Sequence, residues 1–217
     1  MLTVLIASSK GGCGKSTLAT GLAGYFALAG KRSVLIDCDP QGSSTSWASK
    51  RVDLATPVLA VDGTRKGWER RVPDDTQRLV IDTPAGSRAR DLAPWLARAD
   101  AVLVPVLPSV IDMEATLPFL TALAEAGAGR KNGPRVGLVG NRLKPWTQAS
   151  QNAVAQVQTW PYPLAASLRD SQAYVLLAGL GRCLFDYHSQ AIRAHQEDWS
   201  ALFSWLRNVN RQRRRSG

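Results

Sequence analysis

Short apolar runs recur along this chain at residues 2–7, 33–37, 78–82, 101–105 and 135–141, each bounded by polar or glycine-containing segments. Runs of this length, rich in Val, Ile and Leu, predict buried strands. Longer stretches with helical spacing separate them, at 15–29, 89–97, 112–125 and 147–158. Each is long enough to carry the chain back across a sheet to a parallel neighbour. The alternation predicts an α/β fold, a doubly wound, mostly parallel sheet with helices on both faces.

Three segments fit the rhythm less regularly. Residues 53–76 mix charges with Gly and Pro and predict an irregular edge with a short strand at 58–61. Residues 127–134, GAGRKNGP, predict a turn, after which the strand–helix alternation resumes, so no domain boundary falls there. Trp199, Leu202, Phe203, Leu206 and Val209 recur at spacings of three and four and share one face of a last helix, expected to pack on the sheet. With 217 residues, 45% of them hydrophobic, the expectation is one domain over 1–210 and a basic, flexible tail over 211–217.

Charge adds a partner class. Lys and Arg number 27 against 17 Asp and Glu, a formal charge of +10 that suits an acidic polymer or an anionic surface. Three widely spaced cysteines, Cys13, Cys38 and Cys183, fit neither a disulfide framework nor a zinc site, and a reducing cytoplasm is the expected setting. Residues 1–7 lack the basic flank of a signal peptide. No apolar run approaches the roughly 20 residues that a bilayer crossing needs, so no integral membrane association is expected.

The first strand leads into Ser9-Lys10-Gly11-Gly12-Cys13-Gly14-Lys15-Ser16-Thr17 and then an apolar helix. That is the setting of a phosphate-binding P-loop: glycines let backbone N–H groups curl around phosphate oxygens, and a helix N-terminus adds its dipole. Lys15 is positioned to reach the β/γ-phosphates and the Ser16 hydroxyl to bind Mg²⁺. Ser9 stands where the usual pattern has glycine, and Lys10 is an additional cation.

The pattern K-G-G-x-G-K-[ST]-T resembles the ParA/MinD family of deviant Walker A P-loop ATPases. The resemblance implies that Lys10 reaches across a dimer interface to the partner's nucleotide, so that ATP holds a homodimer together and hydrolysis loosens it. Asp37-Cys38-Asp39-Pro40-Gln41 looks like the family's switch segment, which implies a water-activating role for Asp39 and support of the metal site by Asp37. Leu79-Val80-Ile81-Asp82 has the Walker B form, implying that Asp82 holds Mg²⁺. Catalytic residues are thus expected at Lys10, Lys15 and Asp39. Nucleotide contacts are expected from Lys10 through Thr17 (Gly11, Gly12, Cys13, Gly14, Lys15 and Ser16 between them) and from Asn141, whose amide would read adenine. Metal contacts are expected from Ser16, Asp37, Asp39 and Asp82, and residues 162–168 as a loop closing the other side of the base.

The resemblance further implies nonspecific DNA binding by the dimer. The segment around Arg169 is similar to the stretch that carries one such arginine, and Arg207, Arg211, Arg213, Arg214 and Arg215 are candidates beside it. Such binding is strongly salt-dependent. A short-form, ParF-like or McdA-like positioning ATPase is implied, beginning without an N-terminal DNA-reading extension. It would be nucleoid-associated and released from DNA when a ParB-like or McdB-like adaptor stimulates hydrolysis. Two alternatives stand beside it: a nucleotide-gated scaffold with negligible turnover, and a MinD-like ATPase at a membrane surface. The latter needs a terminal amphipathic helix with a free apolar face. An iron-protein-like carrier is disfavoured because no cysteine lies between Cys38 and Cys183.

Overall fold

In the computed structural model, which describes residues 1–216, every neighbouring pair of strands in a seven-stranded sheet runs parallel. The strands are β1 (Leu2–Ile6), β2 (Ser33–Asp37), β3 (Leu59–Asp62), β4 (Arg78–Asp82), β5 (Ala101–Val106), β6 (Arg135–Leu143) and β7 (Leu164–Arg169). The helices are α1 (Lys15–Leu28), α2 (Ser43–Ser49), α3 (Ala93–Leu96), α4 (Val110–Glu125), α5 (Gln148–Val157), α6 (Gln172–Gly179), α7 (Gln190–Glu197) and α8 (Ser200–Ser216).

The spatial order is β3-β2-β4-β1-β5-β6-β7. From β1 the chain moves to one side, through β2 to the edge strand β3, returns to place β4 between β1 and β2, and then crosses to the other side through β5, β6 and β7. This makes the carboxyl end of β1 the switch point where ligands bind in such sheets.

Alternate residues of each central strand feed two separate cores. Leu2, Val4 and Ile6 join Leu18, Leu22 and Phe26 of α1 and Leu202 and Leu206 of α8 on one face. Leu5, Ile36, Ile81 and Val104 meet Phe119 and Leu123 of α4 and Val157 of α5 on the other. Trp199 is 1% exposed and lies so close to α1 that a Cβ at Gly21 would stand 2.6 Å from its indole ring. The apolar stripe of the last helix therefore lies in the core, as its spacing predicts.

Several expectations need correction. The segment 89–97 is a 3-10 turn, Ala89–Leu92, followed by the single turn of α3. The edge strand β3 begins one residue late. Residues 162–168, expected as a loop over the base, mostly form β7, whose small buried residues Ala165 and Ala166 let it lie close beside β6. From Arg211 the chain is helical through Ser216 as the end of α8, where Arg residues are good helix formers and Val209 is still in the core. Gly217, the last residue of the expected tail, lies outside the described residues.

Candidate nucleotide site

The loop after β1 owes its shape to glycines in the left-handed region, Gly12 at φ 72° and Gly14 at φ 94°. A Cβ at Gly14 would collide with the side-chain amide of Asn141. That amide donates to the Cys13 carbonyl at 2.7 Å, so β6 braces the loop from behind. Cys13 itself is fully buried, with its Sγ turned towards the Lys10 carbonyl. In front, Gly11 and Gly12 are exposed. At the far end of the loop the first turn of α1 presents unpaired N–H groups, the arrangement that attracts phosphate.

The two lysines occupy different settings. Lys15 is only 6% exposed, and its Nζ donates to the Lys10 carbonyl at 2.9 Å, so its charge lies inside the arch of the loop. Lys10 is half-exposed on the rim. Asp112 in the first turn of α4 feels its charge: this buried carboxyl accepts from Leu107 N at 2.8 Å and is held above the usual range by burial, with that hydrogen bond and the Lys10 charge opposing. Ser9 ties the loop to the same helix by donating to the Ala115 carbonyl at 3.3 Å.

Asp82 ends β4 with no exposure, and burial pushes its pKa up to about 6, with the charge of Asp37 adding to the rise. Ser44 donates to its Oδ2 at 2.6 Å, while Oδ1 is buried without a hydrogen-bond partner. The Ser16 hydroxyl faces the same carboxylate and favours its ionised form. A buried, unsatisfied carboxylate oxygen with a hydroxyl beside it fits a hard cation such as Mg²⁺. Asp37 is engaged otherwise: its two oxygens accept from the Asp39 and Thr45 backbone N–H groups, at 3.1 and 2.8 Å. Asp39 is half-exposed and caps its own turn by accepting from Gln41 N at 3.0 Å. Among the described residues no three Asp, Glu, His or Cys side chains converge as a metal cluster. Of the expected metal set, Asp82 and Ser16 face each other, Asp37 is engaged by the backbone of the switch segment, and Asp39 lies at the mouth of the site.

Lys10, Lys15, Ser16, Asp37, Asp82 and Asn141 are thus brought together at the carboxyl edge of the sheet. The expected DNA residues are not gathered with one another. Arg169 ends β7, and its guanidinium is held by Asp198 at 2.9 Å and by the Ala194 carbonyl, whereas Arg207 and the arginines from Arg211 onward lie along α8. Asn141 acts first as a brace for the loop, a role that its amide chemistry did not reveal. Sequence reasoning also missed Ser44 and Thr45. The signal was the run Ser43-Ser44-Thr45-Ser46 directly after Gly42, where hydroxyls open a helix beside the acids.

Comparison with known proteins agrees with this geometry. The family model "CobQ/CobB/MinD/ParA nucleotide binding domain" matches residues 4–181. A maintenance of carboxysome distribution protein A from Halothiobacillus neapolitanus is 30% identical over 164 residues, which cover 71% of this chain and 74% of that protein. The chromosome-partitioning ATPase Soj of Thermus thermophilus is 30% identical over 168 residues, covering 63% and 66%. Among solved structures, a plasmid partition protein of Borrelia burgdorferi B31 bound to AMPPNP superposes with a TM-score of 0.72 over 94% of this chain and 98% of its own; at 15% identity it supports the fold alone.

Proposed function

This chain belongs to the CobQ/CobB/MinD/ParA nucleotide-binding family, whose ParA/MinD members are Mg²⁺-dependent ATPases of partitioning and positioning, and from that premise we propose that it pairs face to face when ATP is bound, holds nonspecific DNA and positions a cargo. The observation that carries the reading is the different placement of its two lysines. Lys15, inside the loop, neutralises phosphate within its own subunit, while Lys10 on the rim is free to serve a triphosphate presented by a second copy. Charge supplied from both sides makes the triphosphate the bond between subunits, and loss of the γ-phosphate weakens it.

The backbone N–H groups of Gly11 to Ser16 cradle the phosphates, and Asp82 with Ser16 would hold Mg²⁺, which when bound neutralises charge developing on the phosphoryl oxygens. Asp39, half-exposed at the mouth of the site, orients the attacking water. Asn141 fixes the loop and offers its amide to the adenine edge. Release from DNA follows when an adaptor, ParB-like or McdB-like, speeds hydrolysis, so the protein would be nucleoid-associated. The cargo is a plasmid, a chromosome region or a protein body. No helix among the described residues is long and apolar enough to cross a membrane.

Phosphate release in the presence of DNA, compared between the wild type and Asp39→Ala, tests the reading. A fall to background in the variant is expected; equal and negligible rates would instead favour a nucleotide-gated scaffold.

A further inference from the structure

Because all strands are parallel, their amino ends share one edge of the molecule, about 17 Å from the phosphate loop for a five-residue strand. Cations accumulate there. Lys31 precedes β2, Arg78 opens β4, Arg135 opens β6, and the last turns of α8 bring Arg213 and Arg214 across the same edge. A cavity of about 260 Å³ is lined by Lys31, Arg78, Arg213, Arg214 and Met1 among others, and no acid lines it. Its neighbour, of about 400 Å³, shares Arg213 and adds Lys131 and Arg135, with Asp100 its single acid.

Apart from Arg32, which pairs with Asp75, the cations at this edge are poorly compensated. Among the described residues Lys31, Arg135 and Arg214 form no ion pair, and Arg213 approaches Asp100 only at 3.7 Å. Nε of Arg78, Nε of Arg213 and Oδ1 of Asn210 are buried there without hydrogen-bond partners. The Arg78 guanidinium lies over the Phe26 ring at 5.5 Å and is lowered below its usual range by burial and then by the Arg214 and Arg213 charges. Crowded like charges of this kind are stabilised by an anion.

We infer that the amino edge of the sheet is a phosphodiester-binding surface, on which Lys31, Arg78, Arg135, Arg213 and Arg214 hold the backbone of a nucleic acid. From β2 to β6 the row crosses four strand spacings, about 19 Å, which spans about five or six base pairs of duplex at ~3.4 Å of axis each. Guanidinium forks suit phosphate oxygens without reading bases. The inference rests on the DNA-binding reading above and locates its contact: with pairing at the carboxyl edge, each dimer would carry two such surfaces facing away from each other. Arg169, engaged by Asp198, is not part of it.

The test is filter binding of a mixed-sequence duplex, with ATP, across a salt series, for the wild type and for the triple variant Lys31→Glu, Arg135→Glu, Arg214→Glu. All three side chains are exposed and remote from the nucleotide site, so a folded protein with wild-type basal ATP hydrolysis is expected. Affinity should fall at least tenfold, and the slope of log K against log salt should decrease by about 3. The triple alanine variant should give the same direction with smaller size, and it serves if the glutamates impair folding. A folded variant that binds as the wild type does would overturn the placement while leaving DNA binding intact. A wild type that binds no duplex in any nucleotide state, or that binds phosphatidylglycerol vesicles instead, would overturn both.

Discussion

The two edges of one sheet handle charge in opposite ways. At the carboxyl edge Lys15, Asp37 and Asp82 are buried within reach of one another, and almost every polar atom has a partner inside the chain. The exception is Oδ1 of Asp82, the atom a cation would take. At the amino edge the cations are mostly exposed and outnumber the acids, Asp75 pairing with Arg32 and Asp100 lying 3.7 Å from Arg213, so much of their charge is left for a partner to compensate. A buried, nearly closed network selects a small ligand of fixed geometry, whereas an exposed row selects a repeating polyanion and tolerates any sequence. Most of the fold's specificity thus sits at one edge and its nonspecific attraction at the other.

Removing the central cation of the closed edge should have the largest effect. Lys15→Ala deletes a charge-assisted phosphate contact of about 2–3 kcal/mol, on the order of a hundredfold in ATP affinity. Isothermal titration with ATP should show that loss, while nucleotide-independent DNA retention stays unchanged if the edges are separable.

Asp82→Asn tests the same edge through stability. A carboxyl whose folded pKa is about 6, against 3.8 unfolded, leaves the folded state with more bound protons between those values, so stability falls as pH rises through that window and the full penalty stands above about pH 6. The neutral amide removes it. Thermal or urea melts without nucleotide should show the variant more stable than the wild type by on the order of 2–3 kcal/mol at pH 7, with the gap closing below about pH 4. Mg²⁺-dependent ATP binding should be lost in the same protein, which marks the carboxylate as kept for its ligand at a cost in stability.

Arg169→Glu should have the smallest effect. Breaking its partly exposed pair with Asp198 costs about 1 kcal/mol, read as a small drop in melting temperature. DNA retention should change less than in the amino-edge triple variant; a larger loss would return the DNA face to the carboxyl end of β7.

The sequence carried the closed edge well because its chemistry is local. The loop from Lys10 to Thr17, the acids at the ends of β2 and β4, and the five central strands each lie in short contiguous segments whose glycines and apolar runs have one reading. The open edge was not legible in this way. Lys31, Arg78, Arg135 and Arg214 are far apart along the chain and converge only because parallel strands start together and α8 ends across them. The setting of Arg169 was hidden for the complementary reason: no local pattern announces that Asp198, 29 residues on, pairs with its guanidinium. The strand β7 was read as loop because its Ala-Ala-Ser core lacks the β-branched residues that mark the other strands.

Light scattering with a nonhydrolysable ATP analogue bears most directly on the proposal that Lys10 serves a second subunit. The wild type should weigh roughly twice its 23.4 kDa, and Lys10→Ala should remain at 23.4 kDa although it still binds the nucleotide. A variant that doubles its mass as readily as the wild type would contradict the shared site.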